Sequence, residues 1–178
     1  MKEIIYNYNL LEEQEITKRI IRLKALIINS NNEILLGYAH KTYQFPGGHL
    51  EDGEDYNVAL KREVEEETGL VIDTSNLTPF LSIKHYIKNY NETETNCSVE
   101  IYYYIINTDK KYNLSNTNYD KWEQLGNFEL KYIPISNLEK TLLESVEDNK
   151  VNVIITEEML EALQEYKKIT NNTKHSVI

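Results

Sequence analysis

Residues 48–70 read GHLEDGEDYNVALKREVEEETGL, and no other stretch constrains the chain as much. Its fixed members are Gly48, Glu54, Arg62-Glu63-Val64, Glu66-Glu67 and Gly69-Leu70, separated by spacers of five, seven, one and one residues. On a helix, positions three and four apart share a face, so Glu63, Glu66 and Glu67 converge on one patch. Like charges at that spacing destabilise a helix unless a counter-charge joins them. An oxygen-lined set of this kind suits a hard cation such as Mg²⁺ or Mn²⁺. Leu60 and Val64 fall beside the carboxylates, so the helix has an apolar edge and a metal edge. A solvated acidic helix is the usual fate of a charge run. That reading covers KREVEEE but leaves the flanking glycines and Phe45-Pro46-Gly47 unexplained. Four of the chain's six glycines, Gly47, Gly48, Gly53 and Gly69, lie in this one segment. Glycine is used where φ must be positive or the backbone must approach a neighbour closely.

Agreement of so many fixed positions by chance is on the order of 10⁻⁷ for a chain of this length. Position for position the pattern is the Nudix box, and the chain resembles a Nudix hydrolase over roughly residues 20–148. The resemblance implies an α/β fold of the Nudix type, an α/β/α sandwich with a mixed β-sheet. It implies that Glu63, Glu66 and Glu67 ligate the metal, with Glu67 the candidate for activating water. Glu54 would reach the metal cluster directly or through water. Arg62 would hold a glutamate by a charge-assisted pair. Gly48 would offer its backbone carbonyl, and Gly53 would let the loop fold back.

With 178 residues, 40% hydrophobic and 27% charged, the chain is long enough to bury a core and reads as one globular domain over residues 1–170. Residues 1–18 form an N-terminal extension that would either pair with a second copy, giving a homodimer, or cover a sheet edge. No apolar run has the length of a membrane span. No secretory signal is visible, so a cytoplasmic location is expected. The single Cys97 excludes an internal disulfide and a cysteine-based zinc site. A net charge of −10 argues against duplex nucleic acid or an anionic membrane as partner. A divalent cation held by carboxylates would reconcile that acidity with a phosphorylated small-molecule substrate.

The hydrophobic pattern predicts strands over residues 3–8, 19–29, 33–41, 77–88, 99–107 and 128–135. A helix is expected over 56–68, with Asp55 as its N-cap and Gly69 as its stop. Ser136 and Glu139 form a capping box ahead of a helix carrying Leu138, Leu142, Leu143 and Val146. A last helix is expected over about 156–168, followed by a polar, disordered tail including residues 171–178. Residues 108–126 read as loop. Strands mixed with a few helices, without strict alternation, point to a mixed sheet with helices on both faces.

The reaction implied by the resemblance is attack of metal-activated water on a diphosphate linkage within a nucleoside diphosphate joined to another moiety. The substrate class would be a nucleoside triphosphate, dinucleoside polyphosphate, nucleotide sugar or ADP-ribose. Many family members take a further carboxylate from beyond the box. Glu129 holds a similar place here, with Glu100 its rival. Tyr38, His40 and Tyr43 lead into the box, where rings would stack on a base. Tyr86 stands at the spacing associated with dinucleoside polyphosphate hydrolases. A Nudix-fold nucleotide sensor without catalysis is the alternative. An intact box argues against that reading.

Overall fold

A computed structural model describes residues 1–148 and 153–175. The chain divides into two compact units: Met1–Leu26, Pro46–Ile106 and Lys110–Asn118 in one, and Ile27–Phe45, Asn107–Asp109 and Tyr119–Ile178 in the other.

The first unit holds a mixed sheet. β1 (Lys2–Tyr6) runs parallel to β5 (Leu81–Ile87), with Ile4 opposite Ile83, and β5 runs antiparallel to β6 (Cys97–Asn107), with Lys84 opposite Glu100. The early residues of β2 (Lys18–Ile28) lie beside β6. The N-terminal extension thus covers a sheet edge within its own chain. A parallel neighbour cannot be reached by a hairpin, and the chain travels through the box before β5 returns to meet β1.

α1 (Tyr56–Thr68) begins where the sequence predicts. The Asp55 side chain accepts from the Asn57 N–H, and Gly69, with φ of 67°, ends the helix while its N–H reaches the Glu65 carbonyl. Both are standard ways of satisfying otherwise unpaired helix-end groups. Ala59, Leu60 and Val64 are fully buried along one edge, and each large one contributes about 1.5–3 kcal/mol of burial free energy.

Glu100 is a buried carboxylate, only 4% exposed. Burying such a charge is costly without donors. Here Arg19 and Ser98 donate to Oε1, and the Tyr102 hydroxyl donates to Oε2. The second hand of Arg19 takes Glu13, whose other oxygen receives the Tyr86 hydroxyl. This chain of partners ties the segment before β2 to the sheet.

In the second unit β3 (Glu33–Ala39) pairs antiparallel with β4 (Thr42–Gln44), with β7 (Glu129–Pro134) and with Ile27 and Ile28 of β2. β4 is absent from the sequence reading. His40 and Lys41 have φ of 48° and 62° and close a two-residue hairpin. Positive φ at both turn residues normally advertises itself through Asn-Gly or Asp-Gly, and this turn uses neither. α2 (Lys121–Leu125) was also expected as loop. Its start is a reciprocal cap: the Glu123 N–H donates to Asp120 Oδ1 at 2.8 Å and the Asp120 N–H donates to Glu123 Oε2 at 2.7 Å.

α3 (Ile135–Asp148) packs on β4 and β7 through the buried Leu138 and Leu142, while Leu143 stays half exposed. It starts ahead of Ser136, so the expected capping box lies inside the first turn, and the Ser136 hydroxyl donates to Asn137 instead. α4 (Val153–His175) packs on α3 and β4 and continues past the expected end at Lys168. The Thr170 hydroxyl turns back onto the carbonyls of Tyr166 and Lys167, which keeps this polar residue inside the helix. The expected tail is therefore helical through His175; residues 176–178 lie outside the described residues. Among the described residues, no helix is long and apolar enough to cross a membrane.

Candidate active site

Arg62 is the hub of the box. Its Nε and Nη2 grip Glu54 with two bonds of 3.0 and 2.8 Å. Nη1 reaches Glu63 at 2.7 Å and Glu66 at 3.3 Å, and Nη2 also donates to the His49 carbonyl at 3.0 Å. A guanidinium has five N–H donors in a rigid fork. Each of the five has a bond here. The guanidinium holds Glu54 below the ordinary carboxylate range. Glu63 is pushed up by burial, against the opposing pull of Arg62.

The other two carboxylate contacts come from the glycine loop. The Gly47 N–H donates to Glu67 Oε2 at 2.9 Å, and Glu67 is only 9% exposed. A side chain at Gly48 would fall on the Glu63 carboxylate. The loop itself is tied to β2: the Leu23 N–H donates to the Gly48 carbonyl at 2.9 Å, and the Ala25 N–H donates to the Pro46 carbonyl at 2.8 Å. The Gly48 carbonyl, expected to face a metal, thus lies in a backbone ladder. The neighbouring Gly47 carbonyl instead receives the Lys24 ammonium.

These two glycines differ in what they tolerate. Gly47 has φ of 126°, and its missing Cβ would fall on the Leu23 carbonyl. Gly47→Ala is expected to cost about 2–4 kcal/mol, from backbone strain plus a collision with backbone that cannot yield. Gly48→Ala meets only the end of a flexible side chain, so it should lose little stability while displacing Glu63 and lowering activity. Urea unfolding of both variants checks the order; equal losses would contradict it.

Glu54, Arg62, Glu63, Glu66, Glu67 and Gly48 are therefore brought together within the first unit. Glu65 turns away and pairs with Lys61 at 3.0 Å on the exposed side of α1. Among the described residues, no three acidic, histidine or cysteine side chains close on one point. The reason is visible in the contacts: Arg62 and the Gly47 N–H hold the carboxylate oxygens. The donor chemistry nonetheless fits a hard divalent cation, because Glu63 and Glu66 share a single guanidinium nitrogen and Gly48 keeps the approach to Glu63 open.

Of the remaining predicted residues, Tyr38, His40, Tyr43 and Glu129 belong to the second unit, and Tyr86 and Glu100 to the first. Tyr38 and Tyr43 pair across β3 and β4 with ring centroids 4.6 Å apart, and the Lys131 ammonium lies 4.4 Å from the Tyr38 ring centre. Glu129 stands opposite Tyr38, largely exposed, with its carboxylate 3.0 Å from Lys131. Lys131 carries no box-like signal in the sequence. His40 occupies the hairpin turn, and its ring lies against Gly126. Tyr86 is 8% exposed and its hydroxyl is spent on Glu13, which pushes its pKa up to about 12. Glu100, the rival to Glu129, has both oxygens engaged as described above.

Residues 18–152 match the model of the NUDIX domain. The chain belongs to the Nudix family, whose members in general hydrolyse pyrophosphate bonds in phosphorylated small molecules with the help of divalent metal ions. Among solved structures, the mutator MutT protein of Bacillus halodurans is 14% identical, with a TM-score of 0.50 over 68% of this chain and 72% of that one. A MutT from work on Aliivibrio salmonicida and Vibrio cholerae is 22% identical, with a TM-score of 0.49 over 69% of this chain and 86% of its own. MutT of Methanosarcina mazei is 18% identical, with a TM-score of 0.47 over 69% of this chain and 82% of its own. At such identities the likeness is one of fold.

Proposed function

We propose that this chain is a Mg²⁺- or Mn²⁺-dependent pyrophosphohydrolase of nucleotide substrates, cleaving the diphosphate of a nucleoside diphosphate linked to another moiety. The observation that carries the reading is the Arg62 fork, which gathers Glu54, Glu63 and Glu66 beside the Glu67–Gly47 bond. Glu63, Glu66 and Glu67 would hold the metal, with Glu54 at the rim. Bound there, a divalent cation supplies charge neutralisation for the phosphate oxygens and a lowered pKa for water. Arg62 keeps three glutamates beside one another, which limits the side-chain freedom lost when metal and substrate bind. The Gly47 N–H holds Glu67 Oε2 and so orients this carboxylate within the box. Tyr38 and Tyr43 offer rings for a nucleobase, and Lys131 beside them offers a cation to an anionic group. Glu129, on the exposed side of β7, is the proposed additional carboxylate of the reaction.

The reading is tested by incubating the full chain with nucleoside triphosphates, nucleotide sugars, ADP-ribose and dinucleoside polyphosphates, with Mg²⁺ or Mn²⁺. Release of phosphate-bearing products that stops on chelation is expected for at least one class. Binding without turnover on every one of them would favour the sensor reading instead.

A further inference from the structure

β2 sends two cationic side chains toward the glycine loop. Arg22 Nε donates to the His49 ring at 3.1 Å, and two residues on, the Lys24 ammonium donates to the Gly47 carbonyl. Their roles differ because their targets differ. His49 is a side chain, whereas the Gly47 carbonyl belongs to the backbone of a residue whose own N–H fixes Glu67 and whose next residue abuts Glu63. A carbonyl oxygen beside several carboxylates is a donor set that hard divalent cations take up. An ammonium is a compact point charge with three donors on a flexible stem, suited to filling such a place and to leaving it.

We propose that Lys24 is a tethered counter-ion of the acid patch, holding the Gly47 carbonyl until a divalent metal takes it over. The inference rests on the metal-dependent reading above. Metal loading is then a cation exchange: the ammonium and the metal compete for one oxygen and repel each other at short range. Lys24 stabilises the metal-free protein, weakens its hold on metal, and braces the Gly47–Gly48 peptide, the unit that follows the N–H held by Glu67. A lysine that only braced the loop would leave metal affinity untouched.

The test is Mn²⁺ titration of the full-length protein, following free Mn²⁺ by electron paramagnetic resonance, for wild type, Lys24→Met and Arg22→Met. Lys24→Met is expected to bind Mn²⁺ about fivefold tighter or more, while Arg22→Met, which removes a nearby charge without freeing the carbonyl, changes it by less than about twofold. Melting temperatures supply a second readout. The metal-free Lys24→Met protein should melt lower than wild type, and saturating Mn²⁺ should narrow the gap, because ligand binding to the folded state adds stability in proportion to affinity. Unchanged or weaker Mn²⁺ binding by Lys24→Met, or an equal gain in Arg22→Met, overturns the exchange. Should wild type itself fail to bind Mn²⁺, the metal-dependent reading falls with it; the two failures are therefore separable.

Discussion

Glu67→Gln is expected to reduce turnover by about 10²–10⁴-fold while leaving the chain folded. The expectation of a folded variant comes from the contact that Glu67 makes. Its Oε2 accepts the Gly47 N–H at 2.9 Å, and a glutamine carbonyl oxygen of the same size can accept the same bond. Packing around this nearly buried side chain is preserved, so stability should change little. The formal charge is what disappears. A neutral amide neither ligates a hard cation as a carboxylate does nor takes a proton from water. kcat with saturating Mg²⁺, measured beside the melting temperature, separates the two effects. Near-normal turnover in a folded variant would remove Glu67 from the chemistry.

Arg62→Lys should be nearly as damaging, though the exchange keeps the charge. Arginine satisfies Glu54 through two bonds and also reaches Glu63, Glu66 and the His49 carbonyl. One ammonium with three donors cannot reproduce a planar fork. Glu63, largely buried, then loses its nearest counter-charge, and Glu54 and Glu66 drift toward solvent. A stability loss of about 2 kcal/mol is expected from groups left partly unsatisfied. Activity should fall about 10–100-fold, the usual cost of removing a residue that orients metal-site groups. Denaturant melts and kcat/KM should therefore both decline. A lysine variant with wild-type stability would show that the fork does not hold the patch together.

Some of this site could be read directly from residue spacing. Asp55 and Gly69 bound α1 as expected, because a cap and a stop act on groups within one turn of themselves. The apolar edge of Leu60 and Val64 follows from the same periodicity. Short-range signals misled where another local arrangement satisfied the same groups. The Ser136 capping pattern lies one residue inside α3, and the His40–Lys41 turn needed no glycine to reach positive φ. The loop reading over 108–126 passed over the cap that starts α2, although Asp120 and Glu123 stand at capping-box spacing.

Long-range partners had no such signal. Nothing near Glu100 in the chain announces Arg19, and that pairing removes Glu100 from the set of free carboxylates. Tyr86 stands out in the sequence only by its spacing from the box, and nothing near it announces that Glu13 takes its hydroxyl. Lys131 joins Tyr38 and Tyr43 because β7 and β4 both pair with β3, a matter of strand register.

The sequence by itself determined the family, the helix and the placing of three carboxylates on one of its faces, because the helical repeat is a property of neighbouring residues. Only the tertiary structure decided that the Gly47 N–H takes Glu67, that the Gly48 carbonyl accepts from Leu23 and that the Gly47 carbonyl accepts from Lys24. Those outcomes depend on how β2 runs beside the glycine loop. They are approaches between residues far apart in the chain, set by backbone pairing and steric fit, and no local pattern encodes them.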